Sequence, residues 1–261
     1  MKNVTRRNFL KMSGAATLGI AAFPLQAAGH GGSAKQLKIV VVGAHPDDPE
    51  TGCGGIMILL AEYGHRVISA YLTRGEAGIP GKTHEQAAEI RTNEALEACR
   101  MMKVQSAFLN QIDGSCEISS ARYEEMYNFL NVEKPDIVFT HWPVDTHRDH
   151  RICSVLVYDA WLRSGKRFPL YYYEVMSGEQ SQNFYPTHYV DISAAVERKR
   201  EASYAHKSQD IKTIYEASHD KMEVFRGLEA GYKYAEAFIL QAKSPVSSSL
   251  QKILNDGCLR N

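Results

Sequence analysis

The chain has 261 residues, 44% of them hydrophobic, with 30 basic and 30 acidic groups, enough for one large domain with a real core. Lys2, Arg6, Arg7 and Lys11 are the only charges before Ala34, so the remainder holds 26 basic against 30 acidic residues. That balance argues against nucleic acid or an anionic membrane surface as partner, since both want a basic face, and no segment beyond the N-terminus is apolar for long enough to span a bilayer.

Residues 1–34 read as a targeting segment outside the fold. Thr5-Arg6-Arg7-Asn8-Phe9-Leu10-Lys11 precede a mildly apolar run from Met12 to Phe23 and small residues at Ala27 and Ala28. The pattern resembles a twin-arginine export signal, with an ordinary signal peptide or an uncleaved anchor as the alternative. It predicts a protein handled by the twin-arginine export machinery and working in the periplasm or another extracytoplasmic space. Five cysteines, an odd number without a Cys-x-x-Cys, indicate neither a disulfide framework nor a thiolate zinc site.

Lys38 to Gly43 is a short β-branched apolar run and predicts a buried strand. It hands over to His45, Pro46, Asp47 and Asp48, and a Gly-rich step (Gly52, Gly54, Gly55) leads into a helix to Tyr63. Strands follow at Arg66–Thr73, Gln105–Leu109, Asp136–Thr140, Pro169–Val175, His188–Ile192 and Ala235–Leu240. Helices are expected at His84–Met102, Tyr123–Val132, Asp149–Leu162, Ala194–His206 and Ile211–Tyr232. Alternating strands and helices imply right-handed βαβ units and an α/β fold on a mainly parallel sheet with helices on both faces. A single domain over 35–243 is expected, and 244–261 is Ser-rich and polar, a tail.

Two strand exits concentrate the chemistry. In an open α/β sheet, ligands bind beyond the carboxyl ends of the strands. The first exit carries His45, Asp47 and Asp48 within four residues, and unpaired carboxylates beside a buried strand end are costly. A divalent cation suits them, because imidazole nitrogen and carboxylate oxygen are ordinary zinc ligands. The second exit runs from His141 to His150, with His147 and His150 three apart where a helix starts and so on one side of its first turn. One metal taking His45 and Asp48 from the first loop and His150 from the second keeps a position open for water, the arrangement of a catalytic site. Helix capping alone would suit Asp47 and Asp48, but it accounts for neither His45 ahead of them nor the second cluster.

His45-Pro46-Asp47-Asp48-Pro49-Glu50, followed by His147-Arg148-Asp149-His150, resembles the LmbE-like (PIG-L) family of zinc-dependent N-deacetylases. Thr73 to Gly78, His188 to Asp191 and Ala205 to Gln209 add to the likeness, which runs over most of the chain after residue 34. The resemblance implies a Rossmann-like fold and hydrolysis of an acetamide on an amino sugar or glycoconjugate. It makes His45, Asp48 and His150 the zinc ligands, Asp47 the general base and Arg74 a binder of substrate oxygens. Pro49 is an extra residue against the commoner His-Pro-Asp-Asp-Glu, which leaves the role of Glu50 open. A carboxylate beside a metal-activated water can take its proton, and a second donor must hold the developing oxyanion. His147, oriented by Asp149, is the candidate donor, and Asp149 can also cap the helix. Either Asp47 or His147 can protonate the leaving amine. His-Asp-His ligation accepts zinc and ferrous iron alike. The alternatives are a metal-dependent hydrolase of another amide or an ester, and a metal-dependent glycan-binding protein without turnover.

Overall fold

Ile39, Val40, Val41 and Val42 are all inaccessible to solvent, and they alternate: Ile39 and Val41 enter one apolar core, Val40 and Val42 the other. A strand buried on both faces is the reason for the unbroken apolar run, and it places this segment at the centre of a parallel sheet. The structure is a computed structural model that describes residues 35–245 and Leu250. The expected export signal and most of the expected tail lie outside the described residues.

In chain order the elements are β1 (Lys38–Gly43), α1 (Asp48–Glu62), β2 (Arg66–Tyr71), α2 (His84–Met102), β3 (Gln105–Phe108), α3 (Ser120–Glu133) and β4 (Ile137–His141). There follow α4 (Arg148–Arg163), β5 (Leu170–Tyr173), β6 (His188–Asp191), α5 (Val196–Ser203), α6 (Ile211–Ile214), α7 (Asp220–Ala230) and β7 (Ala235–Leu240). The seven strands form one sheet in the order β3-β2-β1-β4-β5-β7-β6. The first five are parallel, and β7 runs antiparallel between β5 and β6. The sheet is therefore mainly parallel, as expected.

Helices α1, α2 and α5 pack together on one side and α3 on α4 on the other. The order reverses between β1 and β4, which are neighbours, so both chemically rich exits open at the same crevice. No helix among the described residues is long and apolar enough to cross a membrane. Cys53, Cys99, Cys116 and Cys153 are free and buried.

Two boundaries differ from the expected ones in ways that matter. Helix α1 begins at Asp48 rather than Gly52, because Pro49, with its fixed φ and missing N–H, is suited to a first helical turn. The helix expected over Ile211–Tyr232 is divided by a π-helical turn at Tyr215–His219.

Candidate functional site

The loop after β1 is tied down at every residue. The Ala44 amide donates to His141 Nε2 at 3.0 Å, and the Ala44 carbonyl accepts the Thr73 amide at 3.0 Å and the Thr73 hydroxyl at 2.9 Å. The His45 amide donates to Asp48 Oδ2 at 2.8 Å, curling the loop over its own carboxylate. Asp47 lies at φ 110°, a left-handed backbone that costs a non-glycine residue about 1–3 kcal/mol and persists only where surroundings enforce it. Two neighbours enforce it. Glu50, fully buried, accepts the Asp47 amide at 3.1 Å while also accepting Ser69 Oγ at 3.1 Å and Tyr71 Oη at 2.5 Å. Arg91, reaching in from the middle of α2, donates from Nη2 to Asp47 Oδ2 at 2.8 Å and to the Pro46 carbonyl at 2.5 Å.

In the second loop Asp145 accepts the His147 amide at 2.8 Å and the Ser181 hydroxyl at 3.1 Å. His147 is the N-cap of α4: its Nδ1 accepts the Asp149 amide at 3.2 Å. An imidazole whose Nδ1 is an acceptor is neutral and carries its proton on Nε2.

The two loops meet at the Asp48 carboxylate. His45 Nδ1 is 3.2 Å from Asp48 Oδ2, and His150 Nε2 is 3.3 Å from Asp48 Oδ1. The far nitrogens face other carboxylates: His45 Nε2 lies 3.2 Å from Asp113 and 3.4 Å from Asp149, and His150 Nδ1 lies 3.2 Å from Asp145. That is how histidines that bind a metal are held, with the distal N–H on a carboxylate and the near lone pair left for the ion. His141 is also near, 3.2 Å from Asp48 and stacked on His150 at 4.0 Å, and Asp48, His141 and His150 could together surround an ion. Its Nε2, however, already takes the Ala44 amide. Among the described residues, His45, His147 and His150, or His45, Asp113 and Asp149, could also surround an ion.

The electrostatics agree. Burial would raise Asp48, but His150 and His141 bring it well below the usual carboxylate range. Burial would lower His45 and His150, but the surrounding carboxylates raise His45 well above its ordinary value and His150 to about 9. Asp47 behaves differently, since burial holds it above the usual carboxylate value against the pull of Arg91.

The structure thus brings His45, Asp47, Asp48, His147, Asp149 and His150 into one place. Two side chains lie differently from the expectation. Arg74 is exposed, with its guanidinium 4.7 Å over the Phe108 ring and 3.4 Å from Thr92, and it does not line the cavity. A Cβ on Gly75 or Gly78 would lie about 2.5 Å from Arg91 side-chain atoms. The glycines of that loop thus make room for Arg91, and the loop turns Arg74 outward. The Asp149 carboxylate turns to His45 and to the Gly114 amide, at 2.7 Å, so His147 is oriented by the Asp149 backbone and not by its side chain. Arg91, Asp145 and His219 went unnoticed in the sequence.

The cluster forms one end of a cavity of about 450 Å³ whose other lining includes Ala77, Gly114, Met176, Gln180, Gln209 and His219. Residues 40–161 match the family model described as PIG-L: GlcNAc-PI de-N-acetylase. The chain is similar to a diacetylchitobiose deacetylase of Thermococcus kodakarensis, 29% identical over 219 residues, which covers 76% of this chain and 81% of the relative. Among solved structures, an N,N'-diacetylchitobiose deacetylase from Pyrococcus horikoshii matches with a TM-score of 0.70 at 25% identity, over 80% of this chain and 87% of that one. GalB, the 4-carboxy-2-hydroxymuconate hydratase of Pseudomonas putida KT2440, has a TM-score of 0.71 at 20% identity, over 82% and 99% of the two chains, a likeness of fold alone.

Proposed function

We propose, from the match of residues 40–161 to the PIG-L family model, that the chain is a zinc-dependent N-deacetylase of that LmbE-like family. Its reaction is removal of an acetyl or other short acyl group from the nitrogen of an amino sugar or glycoconjugate. The observation that carries this reading is the pair of imidazoles, His45 and His150, turned onto the two oxygens of one buried carboxylate, Asp48, with a strained Asp47 beside them.

His45, Asp48 and His150 would hold the metal. When bound, a zinc or ferrous ion lowers the pKa of water and polarises the acyl carbonyl. Asp47 is the general base: Arg91 binds its Oδ2, and the other oxygen takes the proton of the attacking water. His147 directs its Nε2–H at the oxyanion that develops on the acyl oxygen, a donor fixed in place before the reaction begins. Its Nδ1 is already an acceptor, so it stabilises charge without giving up a proton. Asp47 is then the group that returns the proton to the leaving amine. Asp113 and Asp149 keep His45 oriented, and Asp145 does the same for His150.

In the same reading residues 1–34 are a twin-arginine export signal, 35–243 the deacetylase domain and 244–261 a tail, and the protein works outside the cytoplasm. The decisive experiment measures acetate released from a panel of N-acetylated sugars, with and without added zinc, beside Asp47→Asn. Metal-dependent acetate that falls at least about 100-fold in the variant, with bound metal unchanged by elemental analysis, supports the proposal. Acetate release that survives in Asp47→Asn, or a protein that takes up no metal, refutes it.

A further inference from the structure

We infer that the molecule this cavity takes is uncharged around its acetamide, that its hydroxyls are read by His219 with Gln180, and that anionic N-acetyl sugars are excluded. The inference rests on the deacetylase reading for the identity of the reacting group, and on the cavity itself for the rest.

The lining holds three carboxylates, Asp47, Asp48 and Asp113, against a single arginine or lysine, Arg91, among the described residues. Arg91 is turned to the protein's own carboxylates, and its Nε is buried without a partner. Its Nη2 serves Asp47 and the Pro46 carbonyl, and Nη1 lies 3.8 Å from Asp113. A divalent ion on the cluster would balance the net charge of the lining without reversing it. A sulfate or phosphate on the substrate would therefore lose its water without meeting a free cation, and buried unpaired charge is strongly disfavoured.

What the cavity offers instead is neutral. His219 ends the π-helical turn that interrupts the last helical segment, and such turns occur often at functional sites because the extra residue re-aims the side chains around it. The residue is 6% exposed, and that exposure opens on the cavity. Its ring lies tilted at 35° to Tyr215, 5.3 Å between centroids, and among the described residues no hydrogen bond to either ring nitrogen is present. Behind it lies a second, much smaller void of about 20 Å³ lined by Lys199, Glu223 and Glu236. Burial and the Lys199 ammonium push the imidazole down to about 3, so it is neutral at any working pH. Gln180 Oε1 is likewise buried and unpartnered beside the cavity. A neutral imidazole brings one donor and one acceptor and an amide brings both, a match for hydroxyl groups, which need each. Buried polar groups without partners call for a ligand or water.

The test uses the metal-loaded full chain with N-acetylglucosamine and its 6-sulfate, whose anion is a poor metal ligand. Calorimetric binding is measured alongside acetate release for the wild type, His219→Leu and His219→Gln. The expected result is binding of the neutral sugar at least about tenfold tighter than of the sulfate. His219→Leu should raise Kd and KM about tenfold with kcat changed less than about threefold, and His219→Gln should restore most of the loss. Equal or tighter binding of the sulfate, an unchanged Kd in His219→Leu, or no binding of either sugar overturns the inference. Binding with this pattern but without acetate would instead remove the deacetylase reading and leave the inference standing. Equal turnover of both sugars would do the reverse.

Discussion

Replacing Glu50 should damage catalysis without touching a metal ligand. Its carboxylate is fully buried and holds the amide of Asp47, which sits at φ 110°. In Glu50→Ala the Ser69 and Tyr71 hydroxyls can turn elsewhere, Tyr71 to Cys99 Sγ at 3.3 Å, but among the described side chains the Asp47 amide has no other acceptor. An unpaired buried amide costs about 1–3 kcal/mol, and the released strain adds about 1–3 kcal/mol in favour of a relaxed turn. If about 2 kcal/mol of this is lost from the placement of the base, kcat falls about 30-fold. Glu50→Gln keeps an oxygen for the Asp47 amide, and its NH2 can donate to the two hydroxyl oxygens, so kcat should stay within about threefold of wild type. The assay is kcat for acetate release with bound metal quantified in each variant. Wild-type kcat in Glu50→Ala at full metal content would show that the turn holds without its acceptor. Equal damage in Glu50→Gln would show that the charge matters and the hydrogen bond does not.

Arg91→Gln should lower kcat by about 10–100-fold and destabilise the fold by several kcal/mol, because it strands a largely buried Asp47, whereas Arg74→Ala should change KM by less than about threefold. The reverse ranking would return Arg74 to the site. Lys199 is fully buried between Glu223 at 2.7 Å and Glu236 at 2.8 Å, so Lys199→Met leaves two uncompensated carboxylates at about 3–5 kcal/mol. Thermal melting should fall by about 6–20 °C, and a shift under about 2 °C would contradict the burial argument. His219 has a folded-state value of about 3 against about 6.5 when unfolded. Between these values only the unfolded chain takes up the proton, so this group's contribution to stability is intact above pH 6.5 and is lost as pH falls. The loss is about 2 kcal/mol at pH 5, and urea melts at pH 7.5 and 5 should show the difference shrinking by that amount in His219→Gln.

How far the sequence could be read follows from where its information is local. The β1 strand and the His45 to Asp48 loop are contiguous, and folding alone gives a buried β-branched run no reason to end in an imidazole and two carboxylates. The second cluster was legible for the same reason, since His147 and His150 lie within one turn. Arg91 was not, because its function depends on α2 crossing above the first loop, which no spacing within α2 reveals. The outward direction of Arg74 was not legible, because a side chain beside Gly75 is aimed by a turn (φ 73° at that glycine), and residue type says nothing of it. Asp113 lies far along the chain from His45, and only the fold brings the two together. The π-helical turn at Tyr215–His219 was invisible, since one inserted residue barely disturbs the apolar pattern of so long a helical segment.

Glu236, on the last strand, accepts the amides of Gly55 and Ile56 at 2.7 and 2.8 Å, in the very helix whose first turn carries Asp48. These are contacts across about 180 residues of chain, and loops of that length close late in folding. During synthesis the first loop emerges early, yet the helix behind it cannot be anchored until β7 has been made and inserted between β5 and β6. The geometry around Asp48 is thus among the last features of the molecule to be completed. A chain cut short before residue 236 would display the His-Pro-Asp-Asp loop without the Glu236 carboxylate that anchors the helix behind it.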